Sequence, residues 1–323
     1  MRKNFKKALI TGGVGFIGYH LAKRLVNEGF HVDIIDNLSR GKIDSDFKNL
    51  LKNKKINFFK HDFFKNNLIL NKNYNFIFHL AAIVGVKNVI SKPYEVLEKN
   101  VKLLLNTIKC AKKQKKLKRF FFLSTSEVYA GSLKHKILNF PTKESNIISL
   151  DDLNNNRSTY MLSKIYGEAL CQFSGLPFTI LRPHNIFGER MGMSHVIPEL
   201  TKKVLSKNKF ITVYNSNHTR TFCYIDDAIE MIIRIMKSKK TLYRTYNLGD
   251  PRQEIKIYDL AKKIIKIVNK NKKIKSKKIN NFSPKRRSPR MTKLLKEIDF
   301  KLNSSLNSNL IKTVKWYKKN FLK

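Results

Sequence analysis

The sequence predicts an α/β chain: a doubly wound parallel sheet in the first half, with a smaller unit interleaved toward the C-terminus. Short apolar runs alternate with longer stretches of helical periodicity, the pattern of parallel strands joined by crossover helices. Several of those runs are continuously apolar, which fits a sheet covered on both faces. A glycine-rich turn, Gly12 to Gly18, stands between the first such run and the first helical stretch.

The elements follow in order. Ala8–Thr11 reads as a buried strand and about Phe16–Glu28 as a helix. His31–Asp36, Ile56–Lys60 and Phe76–Leu80 read as further strands. Pro93 opens a helix in which Val96, Leu97, Val101, Leu104, Leu105 and Ile108 recur at helical spacing. Phe120–Leu123 is a strand, Tyr160–Phe173 a helix and Phe178–Leu181 a strand again. After Arg182 the pattern is broken by Pro183, Gly188, Gly192 and Pro198. Asp226–Met236 reads as a helix and Tyr246–Leu248 as a short strand. The last third reads as helical and Lys-rich, with Ser283–Arg290 as a loop. The expected division is 1–182 for the first unit, with 221–250 returning to it, and mainly 183–323 for the second.

At 323 residues the chain suits one large or two medium domains, each of roughly 100–200 residues. Hydrophobic residues at 42% supply a core, and with 13 Gly and 8 Pro a disordered or collagen-like chain is excluded. No apolar run approaches the roughly 18 residues of a membrane span. The net charge of +43 raises nucleic acid or an anionic surface as partners. The excess is spread along the chain, and Lys, Asn, Ile and Phe share A/T-rich codons, so biased base composition accounts for it equally well. Runs occur at Lys112–Lys118, Lys270–Lys278 and Lys315–Lys323, without a nucleic-acid-reading motif. No specific nucleic-acid partner is expected. Cys110, Cys171 and Cys223 form no C-x-x-C pair, which suits a reduced, cytoplasmic compartment. The start is basic, but its short apolar run is broken by Gly12, Gly13 and Gly15, so it reads as mature protein. Eight His residues lack metal-ligand spacing, and no metal site is expected.

The turn Thr11-Gly12-Gly13-Val14-Gly15-Phe16-Ile17-Gly18 carries the first chemistry. Glycine at 12, 15 and 18 permits a tight turn, close approach to a pyrophosphate and close helix packing. The helix beginning at Phe16 and Ile17 offers N–H donors and a favourable dipole to an anion. Asp36 ends the second strand at about the offset of a ribose-binding carboxylate. Such a group accepts hydrogen bonds from the ribose hydroxyls and repels a 2′-phosphate, favouring NAD over NADP. Arg40 nearby softens that preference.

With this turn the chain resembles the extended short-chain dehydrogenase/reductase family, whose members include nucleotide-sugar epimerases, dehydratases and UDP-glucuronate decarboxylases. The likeness runs nearly end to end. It implies a Rossmann-type NAD-binding domain with a smaller nucleotide-sugar domain. Asn37 follows Asp36, Asp62 matches an acid near the adenine, and His79-Leu80-Ala81-Ala82 matches the segment beside the cofactor. Asn100 resembles the family's helix asparagine. Ser124-Thr125-Ser126-Glu127-Val128-Tyr129 resembles the catalytic strand end, and Tyr160-Met161-Leu162-Ser163-Lys164 the Tyr-x-x-x-Lys pair. Asn185 in Arg182–Gly188, Arg220 in Arg220–Asp227 and Arg287 in the Arg286–Pro289 loop resemble the groups that hold the sugar nucleotide, with Ser126 beside the sugar.

Tyr-x-x-x-Lys spacing also occurs at Tyr19/Lys23 and Tyr258/Lys262, where surface decoration is the default. Only Tyr160/Lys164 follows a predicted strand end that could bring it to the cofactor. A free tyrosine with a pKa near 10 is a poor base at neutral pH. A Lys164 ammonium nearby and the oxidised nicotinamide are together expected to favour the phenolate. By the resemblance Tyr160 takes the proton from a sugar hydroxyl held by Thr125, with transient oxidation at C4.

Glu127 bears on the fate of the oxidised sugar. The pattern Thr125-Ser126-Glu127 resembles 4,6-dehydratases and UDP-glucuronate decarboxylases, in which the carboxylate serves the C5 side. The alternatives are a UDP-hexose 4-epimerase with Glu127 a turn-capping carboxylate, and a remote one, a non-catalytic NAD-sensing or RNA-associated protein. Ser126 stands where one dehydratase pattern has Asp. Ala130, Glu189 and Arg290 stand where Gly, Pro and Asp are usual, and the polar stretch Lys134–Arg157 reads as a lid or an insertion. The expected substrate is a UDP-, dTDP- or GDP-linked sugar, and the resemblance implies a homodimer through the helices Pro93–Lys112 and Tyr160–Phe173.

Overall fold

A computed structural model describes residues 6–64, 73–150, 152–279 and 284–321. The first residues of the basic start, Ser283 of the predicted loop and the last two positions of the terminal lysine run lie outside the described residues. Seven parallel strands form the central sheet. They are β1 (Lys7–Thr11), β2 (His31–Asp36), β3 (Ile56–Lys60), β4 (Phe76–His79), β5 (Arg119–Leu123), β6 (Phe178–Pro183) and the edge strand Arg244–Leu248, in the order β3-β2-β1-β4-β5-β6-edge.

Alternate residues of each strand feed two cores, because successive side chains point to opposite faces. Ala8, Ile10, Phe78 and Phe121 enter one cluster; Leu9, Ile77, Phe120 and Phe122 enter the other. Both faces are therefore apolar, and the strands lose the polar alternation of a half-exposed sheet. Helix α1 (Phe16–Asn27) and the helix Ile225–Lys237 cover the first face. Helices Pro93–Lys112 and Ser158–Phe173 pack together over the second. Arg119 ties the sheet to the first layer: its guanidinium donates to Ile235 O, Thr241 Oγ1 and Ser238 O.

From β1 the chain proceeds to β2 and β3, then returns to β4 on the other side of β1. That reversal opens a crevice at the carboxyl ends of β1 and β4. Between β6 and the edge strand lies part of a second unit, with helix Val196–Leu205 and strand Phe210–Tyr214. Its remainder includes helices Ile257–Val268 and Leu306–Phe321. The run Lys273–Lys277, inside a third expected to be helical, is a strand paired in parallel with Phe210–Tyr214. Its Ile274 and Ser276 alternate with three lysines, so a strand exposes the charges on one side.

The stretch Lys134–Arg157 is stitched down where it is described. Thr142 N donates to Ser288 O at 2.8 Å, Arg290 N to Thr142 O at 2.7 Å and Asn247 N to Glu144 Oε1 at 2.9 Å. Gly131 leaves no room for a side chain, since a Cβ there would lie 1.9 Å from Ser149 O. Among the described residues, no helix is long and apolar enough to cross a membrane and no cluster of metal-binding side chains occurs.

Candidate active site

A cleft of about 1550 Å³ runs along the crevice, lined by residues from both units. At one end lies the glycine turn. Gly12 sits at φ +74°, and a Cβ there would lie 2.7 Å from Ala81 N. A Cβ at Gly18 would fall 2.5 Å from Gly12 O. Both obstacles are backbone, so neither position admits a side chain without moving the turn. Gly15 caps α1 with no side-chain hydrogen bond, and Phe16, Ile17 and Gly18 line the cleft behind it. The first-turn donors thus face a concavity with no side chain capping them, the arrangement a diphosphate requires. Leu80, Ala81 and Ala82 form the adjoining wall.

Asp36 is partly committed to the protein. Its two oxygens accept from Val14 N at 3.1 Å and Leu38 N at 2.8 Å. Burial pushes its carboxyl up, and those two bonds oppose the shift. Asn37 and Asp62 also line the cleft, and Asn37 Nδ2 donates to Asp62 Oδ2 at 3.2 Å. Asn100 acts differently from the other predicted residues. Its amide clamps both polar groups of Ile83, at 2.7 and 3.1 Å, and donates to Ser163 Oγ at 3.2 Å. It fastens the loop after β4 to the helix that carries Tyr160.

At the other end of the cleft, Thr125 follows β5 and caps the turn Ser126–Tyr129, its Oγ1 accepting from Glu127 N at 3.2 Å. The helix Ser158–Phe173 brings Tyr160 and Lys164 to this point, and Thr125 hydrogen-bonds the Tyr160 hydroxyl. Lys164 is 4% accessible and donates to Leu123 O at 2.7 Å; burial lowers its pKa to about 8. Burial and the Glu127 charge push the Tyr160 hydroxyl up. The opposing pull comes from the Thr125 hydrogen bond and Arg40. The sequence reading gave that pull to Lys164, whose ammonium is instead directed at the carbonyl ending β5. The other two Tyr–Lys spacings have different surroundings: Arg190 covers the Tyr19 ring at 4.0 Å, and Lys262 lies over Tyr258 at 4.6 Å.

Glu127 caps nothing with its carboxylate, which meets Arg287 Nη2 at 2.5 Å. Burial raises its carboxyl, but Arg287, Arg157 and Arg220 together hold it below the usual range. Arg220 loses affinity for its proton through burial and the neighbouring Arg287, falling to about 10. Ser126 and Asn185 line the same end, Asn185 Nδ2 donating to Thr221 O at 3.0 Å. Sequence reading placed Arg287 on the nucleotide; the fold brings it to Glu127. It missed Arg157, three residues before Tyr160, and Tyr214 and His218, which also line the cleft. An arginine on the helical approach to Tyr160 was the one available signal. The unusual Glu189 is accommodated by Tyr224, whose hydroxyl lies 3.1 and 3.0 Å from its two oxygens.

Behind Thr125 lies a buried polar network. Ser124 Oγ donates to Glu168 Oε1 at 2.5 Å, and Arg182 reaches both Glu168 oxygens, at 2.9 and 2.6 Å. Arg182 also donates to Tyr129 OH at 2.7 Å, and Tyr129 OH to Asn247 Oδ1 at 3.0 Å. The network ties the ends of β5, β6 and the edge strand to the Tyr160 helix.

Known proteins agree with this geometry. A UDP-N-acetyl-alpha-D-glucosaminuronate decarboxylase of Bacillus cytotoxicus is 32% identical, covering 97% of this chain and 98% of its own. A dTDP-D-glucose 4,6-dehydratase of Dictyostelium discoideum is 30% identical over 81% of this chain and 62% of its own. The solved UDP-glucuronic acid 4-epimerase of Bacillus cereus, in complex with UDP-glucuronic acid and NAD, superposes with a TM-score of 0.81. It is 26% identical, over 97% of this chain and 99% of that one. The profile of the NAD dependent epimerase/dehydratase family matches residues 8–249. With the glycine turn, the strand-end threonine and the Tyr–Lys helix gathered on one cleft, the chain belongs to the NAD dependent epimerase/dehydratase family.

Proposed function

We propose that the chain decarboxylates a UDP-linked uronate by transient oxidation at C4. The observation that carries this reading is the grouping of Arg157, Arg220 and Arg287 around Glu127, with the nearby Glu254 taken up by Arg286. Three cations against one anion leave an excess of two positive charges at the substrate end. A neutral hexose diphosphate brings charge only at its phosphates, whereas a uronate adds a carboxylate at the sugar. Full-length likeness to the Bacillus cytotoxicus decarboxylase supports the same substrate class.

NAD, when bound, supplies a reversible hydride acceptor. The glycine turn, Asp36, Asn37 and Asp62 would hold it, while Asn100 and Ser163 keep the neighbouring loop in place. Tyr160 removes the C4 hydroxyl proton while Thr125 holds the oxygen. Its raised pKa makes it a reluctant base in the free chain, so deprotonation depends on charge brought into the cleft. Lys164, fixed by Leu123 O, supplies the nearby cationic donor. The C4 ketone makes the sugar carboxylate a β-keto acid. The C5–C6 bond then breaks, carbon dioxide leaves, and the electron pair moves onto the C4 oxygen held by Thr125 and Tyr160. Arg287 orients the carboxylate, and Glu127, ionised in the free chain and released from Arg287, relays to C5 a proton taken up from solvent.

The self-association we infer would use the helices Pro93–Lys112 and Ser158–Phe173, which expose Tyr94, Tyr166 and Phe173. The three buried cysteines, none in a disulfide, support a cytoplasmic setting.

Product mass tests the reading, after incubation with NAD and UDP-glucuronate or UDP-N-acetylglucosaminuronate. Loss of carbon dioxide is expected, with Glu127→Gln lowering turnover at least about a hundredfold, the low end of general acid–base contributions. Unchanged mass with altered retention would establish a 4-epimerase, and loss of water from a neutral dTDP- or GDP-hexose a dehydratase; either refutes the decarboxylase.

A further inference from the structure

Arg40 acts on Tyr160 only through space, and the decarboxylation chemistry gives its charge no group to hold. It stands on the loop between β2 and the helix Ser45–Leu51, and that loop is folded onto the glycine turn. Asp36 bridges Val14 N and Leu38 N, and Leu38 turns the chain with φ +62°. Gly41 lies so close that a Cβ there would fall 2.8 Å from Val14 Cβ. Arg40 therefore starts at the rim of the turn. Its Nη2 lies 3.1 Å from where a Cβ of Gly192 would be, on the segment leading into the helix Val196–Leu205. The side chain reaches from the turn toward the opposite wall of the cleft.

The turn offers a bound anion backbone N–H groups and a helix end worth roughly half a charge. Residues 11–18 contain no lysine or arginine, and Asp36 adds a negative charge beside them. A dinucleotide diphosphate carries two negative charges. A cation recognising a ribose 2′-phosphate would face the Asp36 carboxylate. Arg40 points elsewhere: its Nη2 lies against Gly192, and Arg40, Tyr160 and His195 line the same cleft, near enough for their charges to interact.

We propose that Arg40 closes over the diphosphate of the cofactor as its cationic counterpart, opposite the N–H groups of the glycine turn. The inference rests on NAD occupying this cleft and is independent of which sugar is turned over. It revises the sequence expectation that Arg40 relaxes the choice between NAD and NADP.

Calorimetric titration of the full chain with NAD, ADP-ribose, NADP and UDP tests it, using Arg40→Gln and Arg40→Lys. A charge-assisted contact of this kind corresponds to roughly a tenfold or greater effect. Arg40→Gln should weaken NAD and ADP-ribose alike by at least that factor, leave UDP unchanged and flatten the salt dependence of NAD binding. Arg40→Lys should recover most of the affinity, and unchanged thermal melting of both variants excludes unfolding as the cause. A loss confined to NADP would place Arg40 at the ribose, and one confined to UDP on the substrate's diphosphate; both overturn the proposal. Unaltered NAD affinity in Arg40→Gln overturns it alone. A wild-type chain that binds neither NAD nor ADP-ribose overturns the cofactor reading with it.

Discussion

Replacing Glu168 by Gln removes the charge from a bidentate ion pair whose side chains are 6% accessible at Arg182 and 10% at Glu168. Burial alone would lower the affinity of Arg182 for its proton; Glu168 outweighs it, and the guanidinium is held above its ordinary value. Without the carboxylate that cation stays out of water with only neutral partners, Tyr129 OH and Glu144 O. Breaking one side of a buried pair costs about 3–5 kcal/mol. Gln keeps the shape and an acceptor oxygen, so the low end, about 3 kcal/mol, is expected. At roughly 2–4 °C per kcal/mol for chains beyond 150 residues, Tm falls by about 6–12 °C. Urea unfolding measures the loss, with an unchanged m-value showing that compactness is unaltered. The double variant Glu168→Leu/Arg182→Met removes both charges and should lie closer to wild type than Glu168→Gln alone. Because Ser124 precedes Thr125 and hangs on Glu168, turnover should fall more than NAD affinity. A Glu168→Gln cost below about 1 kcal/mol, or a double variant no better than the single one, refutes the reasoning.

Two further outcomes arise from buried titratable groups. Lys164 is depressed to about 8, so between that value and 10.5 the unfolded chain binds more protons and stability rises with pH. Lys164→Met should therefore raise Tm at pH 7, with the gain shrinking toward pH 10, while turnover is lost; thermal melts at both pH values check this. Burial lowers His20 to about 4 and His79 and His184 to about 3. Below pH 6.5 the unfolded chain takes up protons that these side chains refuse when folded, so stability falls as pH drops from about 6.5 toward 4. His79→Gln should reduce that slope in melts across the window, and an unchanged slope would count against His79 as a contributor.

The α/β class, the strand and helix alternation and the glycine turn were legible in the residues alone, because each is written in near neighbours. Apolar runs at every position require two covered faces, and Gly12 and Gly18 stand where only backbone space is left. Sequence reading also brought Thr125, Tyr160 and Lys164 into consideration, although two other Tyr–Lys pairs had the same spacing. Tertiary structure separated the three: the strand order β1-β4-β5 opens the crevice and carries the Ser158–Phe173 helix to its edge. Other features were beyond local reading. Glu127 meets Arg287 across 160 positions, Lys164 finds the carbonyl of Leu123, and Arg40 is set by a loop folded onto Val14. The lysine run at Lys273–Lys277 became a strand because Phe210–Tyr214 offered it a partner. Periodicity and turn chemistry act between near neighbours in the chain, whereas charge, hydrogen bonding and desolvation act between groups that only folding brings together.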